Sequence, residues 1–178
     1  LPDIQSYRLT TVIATLGGDS LRGTIEALNC GTKVPDEILI CIPANEVHKV
    51  SDFDFPNVKL IVTETRGQVL QRAIGFKNAK NDIVMQLDDD VCVDTHCVEQ
   101  LLKTLNAEGP MVAVAPSFLC MSSGDSIYKR DGNSKLLPLY YWLINGKAGY
   151  QPGTIGLSGA GFGVDPKADG KRVYDVEW

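Results

Sequence analysis

Three consecutive carboxylates, Asp88, Asp89 and Asp90, stand directly after the apolar run "DIVMQL" (82–87). Adjacent like charges repel and raise one another's pKa unless a cation or hydrogen-bond donors compensate them. Hard carboxylate oxygens suit Mg²⁺ or Mn²⁺, which keeps several waters and bridges one or two carboxylates to substrate phosphates. The triplet therefore predicts a divalent metal and a phosphorylated ligand. Against this stands a plainer reading, in which the acids solvate a loop and favour the helix that begins near residue 95. Asp94 is better placed for that role, so metal binding carries more weight. No other group competes for a metal: His48 and His96 lack the spacing of a ligand pair. The five cysteines are odd in number and form no Cys-x-x-Cys pair, which argues against a disulfide frame or a structural zinc. Cys41 and Cys92 lie in or beside apolar strand-like runs and read as small hydrophobes in a reducing compartment.

The elements that must hold the triplet are legible from period. "LTTVIAT" (9–15), "EILICI" (37–42), "NVKLIVT" (57–63) and "NDIVMQL" (81–87) read as strands, and "MVAVAP" (111–116) as a fifth. Between them, "SLRGTIEALNC" places Leu21, Ile25 and Leu28 at helical spacing behind an Asp19/Ser20 cap. "GQVLQRAIGFKNAK" sets Val69, Leu70, Ala73, Ile74 and Phe76 or Lys77 along one side of a second helix. "DTHCVEQLLKTLNAEG" carries a cap at Asp94 or Thr95, a stripe of Val98, Leu101, Leu102 and Leu105, and a glycine stop at Gly109. Apolar strands alternating with amphipathic helices indicate an α/β, doubly wound, mainly parallel sheet with helices on both faces. In such sheets ligands gather at the carboxyl ends of the strands, near the point where strand order reverses. The triplet sits at such an end.

At 178 residues one domain is expected over 1–178, with 1–116 as its doubly wound half and 117–178 as an irregular portion capping the same sheet. A start at Leu1 without methionine and an end at Trp178 in an apolar-aromatic stretch suggest a truncated fragment. The balance of 17 basic against 22 acidic residues, net −5, with no Lys/Arg cluster, makes nucleic acid a poor partner. No run approaches the roughly 18 apolar residues that span a bilayer. A cytoplasmic or peripheral location, at the cytoplasmic face of a membrane, is the expectation.

These residues resemble the family 2 inverting nucleotide-sugar glycosyltransferases of the GT-A fold. The resemblance rests on "TVIATLGG", "TRGQVLQRAIGFKNAKNDIVMQLDDDV" and the Asp-x-Asp formed by Asp88 to Asp90, in that order, over residues 8 to about 116. It implies that Thr15, Leu16 and Gly17 wall the nucleoside pocket and that Arg66 reaches the base or diphosphate. Arg72 would share that role or pair with Asp88. Asp88 would hold the ribose or a metal-bound water, Asp89 would lie against the nucleotide-sugar, and Asp88 and Asp90 would ligate the Mn²⁺ or Mg²⁺ that neutralises the leaving diphosphate. The implied partners are a nucleotide-sugar donor, a UDP-sugar first among them, and a carbohydrate or lipid-linked acceptor.

Two places depart from that pattern. After the second strand the family carries an aspartate that hydrogen-bonds the nucleobase, whereas this chain reads "EILICIPANE" with Ile42 and Pro43 there. Neither side chain accepts a proton from a base N–H, and Asn45 or Glu46 stands as the substitute. An inverting transferase also needs a carboxylate to take the acceptor's proton. "LSGAGFG" (157–163) resembles the segment preceding it, and Asp175 in "VYDVEW" is the candidate base, with a base beyond residue 178 as the alternative. Tyr140, Tyr141, Trp142 and Tyr150 read as core or interface ahead of a sugar platform. Two other function classes remain open: a Mg²⁺-dependent phosphohydrolase of the haloacid dehalogenase type, and a degenerate nucleotide-sugar-binding domain without transfer activity.

Overall fold

Among the described residues four strands and three helices follow one another as β1 (Leu9–Ala14), α1 (Ser20–Asn29), β2 (Glu37–Pro43), a 3-10 segment (Ala44–Val50), β3 (Val58–Thr63), α2 (Gln68–Asn78), β4 (Ile83–Leu87) and α3 (Cys97–Glu108). The computed structural model describes residues 6–109, 112–116, 118–123 and 143. The chain divides into two compact units, Leu1–Ala115 and Pro116–Trp178, and all of these elements belong to the first. In the second, residues 121–123 form a turn.

The strands pair in the order β3-β2-β1-β4, every pair parallel. Parallel pairing brings all four carboxyl ends to one edge. Strand order reverses between β1 and β4: the chain builds outward from β1 through β2 to β3, then returns to the other side of β1. The loops that follow β1 and β4 therefore meet at the switch point.

Side chains alternate between the faces with period two, and register carries that alternation across the sheet. Leu9, Ile13, Ile38, Ile40, Ile42, Val58, Ile83, Met85 and Leu87 share one face with Leu21, Ile25 and Leu28 of α1 and Val98 and Leu102 of α3, in one apolar core. The opposite face holds a smaller cluster of Val12, Leu39 and Cys41 with Ile61 and Ala79 at its margin. α2 covers that face. Burial pushes the Cys41 thiol up to about 11, in keeping with an inert, space-filling cysteine.

Four expectations are corrected here. α2 docks through Gln71 and Gly75. Val69, Leu70 and Phe76 of the expected stripe are 81%, 48% and 45% exposed. The reason is steric: a Cβ on Gly75 would lie 2.4 Å from Val12 Cγ1 and 2.8 Å from Cys41 Sγ, so the helix backbone rests almost on the sheet at this one glycine. The N-cap of α3 is His96, not Asp94 or Thr95; Asp94 Oδ1 instead accepts the His96 N–H at 2.9 Å, closing the turn ahead of the helix. Residues 112–116 of the expected fifth strand form no strand. Cys92 is exposed rather than packed with β4. The glycine stop is present: Gly109 has φ +97° and its N–H donates to Leu105 O at 2.9 Å.

Candidate functional site

The switch point is built from two loops. After β1, the Thr15 N–H donates to Cys41 O at 3.1 Å, which extends the β1–β2 ladder by one residue before the chain turns. Gly17, at φ +77°, makes that turn and donates its N–H to Thr15 Oγ1 at 2.8 Å. Its missing Cβ also matters, because one would lie 2.7 Å from Lys49 Cβ. Lys49 crosses there from the 3-10 segment, and its Nζ donates to Leu16 O at 3.2 Å.

After β4, the three aspartates have three different environments. Asp88 pairs with Arg72 of α2, the pairing expected from sequence as one option. Asp89 turns inward and accepts the Thr15 hydroxyl proton, while its backbone carbonyl accepts the Thr24 hydroxyl of α1 at 3.1 Å. Asp90 is exposed and has no hydrogen bond or ion pair among the described residues. The buried Nε of Arg72 has no hydrogen-bond partner among the described residues. Arg72 and Thr15 thus partner Asp88 and Asp89, and Asp90 is left as a free carboxylate among the described residues.

A second cluster stands at the ends of β2 and β3. Ile42 is fully buried, so it contributes packing and no contact to a ligand. Glu46, 6% exposed, accepts from Arg66 and from Lys49 Nζ at 2.7 Å, with the Asn45 amide at 3.3 Å. Those bonds from Lys49, then from Arg66, hold its carboxyl below the usual carboxylate range against the opposing effect of burial. The Glu46–Lys49 spacing of three residues was visible in the sequence as an ion-pair signal. Arg66 is thus anchored at the rim rather than a free loop arginine.

The structure joins the loop of Thr15, Leu16 and Gly17 to that of Asp88 and Asp89, pairs Arg72 of α2 with Asp88, and holds Arg66 on Glu46 at the β2–β3 side. Asp175, the aromatic cluster and the "LSGAGFG" segment lie outside the described residues. Gln71, which bonds both the β1 loop and the end of β2, was missed: nothing in a helical stripe marks a buried glutamine. An open cleft of about 650 Å³ borders the Gly17 turn, lined by Gly17, Gly18, Asp19, Arg22, Lys49, Asp52 and Phe53. None of the triplet lines it.

As to a metal, no three His, Cys, Asp or Glu side chains among the described residues converge on one point. Mg²⁺ and Mn²⁺ do not need three, because waters and substrate phosphates complete their shells. The free carboxylate of Asp90 fits such a site, with Asp88 beside it. No helix among the described residues is long and apolar enough to cross a membrane.

A parallel sheet whose β1 and β4 loops meet at the switch point defines an open, doubly wound α/β protein with its ligand crevice expected at that edge. The family model "Glycosyl transferase family 2" matches residues 18–168, and the chain belongs to that family. No curated protein matches it. Among solved structures, S. aureus TarS is 15% identical with TM-score 0.47, over 56% of this chain and 20% of that one. S. aureus TarS 1–349 is 14% identical with TM-score 0.48, over 68% and 44%. The same 1–349 protein in complex with UDP-GlcNAc is 14% identical with TM-score 0.45, over 62% and 37%. The chain therefore spans less than half the length of these proteins.

Proposed function

We propose that residues 8–116 form the donor site of an inverting glycosyltransferase that moves a sugar from a nucleoside diphosphate to an acceptor hydroxyl. The observation that carries this reading is the division of labour in the triplet, where Asp88 and Asp89 are held by Arg72 and Thr15 and Asp90 is left free. In the transfer, the acceptor oxygen bonds to the anomeric carbon while the bond from that carbon to the β-phosphate oxygen breaks. The electron pair leaves with the diphosphate, and the acceptor's proton passes to a carboxylate, for which Asp175 is the candidate. Asp90, with Asp88, would hold Mn²⁺ or Mg²⁺, which supplies Lewis-acid neutralisation of the leaving diphosphate. Arg72, paired with Asp88, would set a guanidinium charge beside that anion. Thr15, Leu16 and Gly17 wall the nucleoside, and Arg66 with Glu46 and Asn45 edges the base. Family membership leaves the haloacid dehalogenase reading without support. A carbohydrate or lipid-linked acceptor, reached from the cytoplasmic side, completes the proposal.

The test is calorimetric titration of UDP, GDP, ADP and dTDP with and without Mn²⁺. Binding of one diphosphate that requires the metal and falls at least tenfold in Asp90→Ala is expected. Binding indifferent to both would remove the triplet from the site.

A further inference from the structure

We infer that Gln71 is the positioning residue of this donor site: its buried amide fixes the Thr15 turn, and through Thr15 the placement of Asp89. Gln71 is 2% exposed. Its Nε2 donates one hydrogen to Thr15 O at 2.9 Å and the other to Cys41 O at 2.6 Å, while Oε1 accepts the Gly67 N–H at 3.2 Å. One side chain thereby ties the ends of β1 and β2 to the loop that opens α2. Every hydrogen-bonding atom of the amide is used. Packing alone would be served as well by methionine, so the amide is there for what it bonds.

Its chief partner is Thr15, whose backbone is held on both sides: the N–H by Cys41 O at 3.1 Å, the carbonyl by Gln71. Little freedom remains to the residue except rotation of its side chain. That hydroxyl is the group that accepts from Gly17 N–H at 2.8 Å and donates to Asp89. Gly75 lies one turn along the same face of α2, and the absence of a Cβ there lets the helix come near enough for Gln71 to reach both strands. Arg72, the next residue, pairs with Asp88. Two successive residues of one helix thus hold two successive aspartates, Gln71 through Thr15 and Arg72 directly, and Asp90 is presented alone. A free Asp90 beside two immobilised neighbours is a pre-organised site, which saves ordering cost on binding.

This inference rests on the donor-site reading, and its experiment separates the two. In the full chain, Gln71→Met leaves the Thr15 carbonyl and the Gly67 N–H without partners and takes one of two donors from the Cys41 carbonyl, a penalty that translates to about tenfold weaker diphosphate binding in the presence of Mn²⁺. Thr15→Val weakens binding too, and the double variant is no weaker than the worse single one, because both changes break one chain of contacts. Val98→Ala, on the far face, lowers thermal stability and leaves affinity unchanged. Gln71→Glu offers a pH readout and carries the test if the methionine variant does not fold: an ionised carboxylate repels both carbonyls, a protonated one donates to one of them. Its affinity relative to wild type should therefore rise on acidification. Wild-type affinity in Gln71→Met, additive losses in the double variant, or a flat pH ratio in Gln71→Glu overturns the inference. Should the wild-type chain bind no diphosphate, the donor-site reading falls and amide hydrogen exchange decides Gln71 by itself. Faster exchange at Thr15 and Gly17 in Gln71→Met, with Gly109 unchanged, supports it; unaltered exchange at those amides overturns it.

Discussion

The two faces of the sheet are held by different physics. On one, α1 and α3 lay Leu21, Ile25, Leu28, Val98 and Leu102 on isoleucines, leucines and valines of all four strands, and nearly all of the attachment is apolar area. On the other, α2 brings a glycine against the sheet and a glutamine into hydrogen bonds, over a cluster whose fully buried members are Val12, Leu39 and Cys41. At its amino end this second face carries a buried polar set, in which Glu37 accepts from Lys59 Nζ at 2.7 Å, Thr10 Oγ1 at 3.2 Å and Lys80 N–H at 3.3 Å. Apolar area is non-directional and fixes that two elements meet. Hydrogen bonds fix how they meet, and both of the contacts that steer the acidic triplet start from the polar face.

The largest effects should come from breaking each face in its own way. Leu28→Ala removes a fully buried side chain from the apolar face, and a cost of about 2–5 kcal/mol is expected, measured by denaturant unfolding. The Mn²⁺-dependent affinity of the folded fraction should not change. Gly75→Ala strikes the polar face with a single methyl group that must displace Val12 and Cys41. About 1–3 kcal/mol of destabilisation is expected there. Unlike the leucine truncation, it lifts α2 from the sheet and should weaken diphosphate binding, because Gln71 and Arg72 ride on that helix. Equal effects of the two variants on affinity would erase the distinction between the faces.

The same distinction governs what the sequence disclosed. Strands β1 to β4, the helices α1 and α3 and the carboxyl-end location of Asp88 to Asp90 were legible because apolar side chains announce burial by their period, whereas "MVAVAP" gave the same signal and its residues 112–116 form no strand. α2 misled for the same reason: its apolar residues Val69, Leu70 and Phe76 suggested a buried stripe, while the helix is held by Gln71 and Gly75. A helix docked by close backbone approach and an amide leaves no hydrophobic period to find. Arg72 with Asp88 was within reach of local reasoning, since both lie at the same end of neighbouring elements. Thr15 with Asp89 was not, because 74 residues separate them and only the parallel β1–β4 pairing brings their loops together. The role of Glu46 was half legible: it stands near the position of the missing base-contacting acid, but its ion pairs with Lys49 and Arg66 arise from the 3-10 turn and the β3–α2 loop.

The smallest effect expected is also the one that isolates the polar face most cleanly. Burial raises the carboxyl of Glu37, but the bonds from Lys59, Lys80 and Thr10 outweigh it, so the folded-state pKa lies below the ordinary 4.5. A carboxyl with a depressed folded pKa stabilises the fold at pH above its unfolded value, and that contribution is lost as pH falls through the folded one. Acid should therefore erode stability in the window below 4.5, and Glu37→Gln should flatten the curve of unfolding free energy against pH in that window while lying below wild type at neutral pH. Partial exposure of Lys59 keeps the difference small, since solvent screens the pair. Because Glu37 lies at the amino edge, remote from the triplet, diphosphate affinity at neutral pH should stay at its wild-type value. A loss of affinity in Glu37→Gln would mean that the polar face acts as one unit from edge to edge, and Gln71 would then be one member of that unit rather than the residue that sets the site.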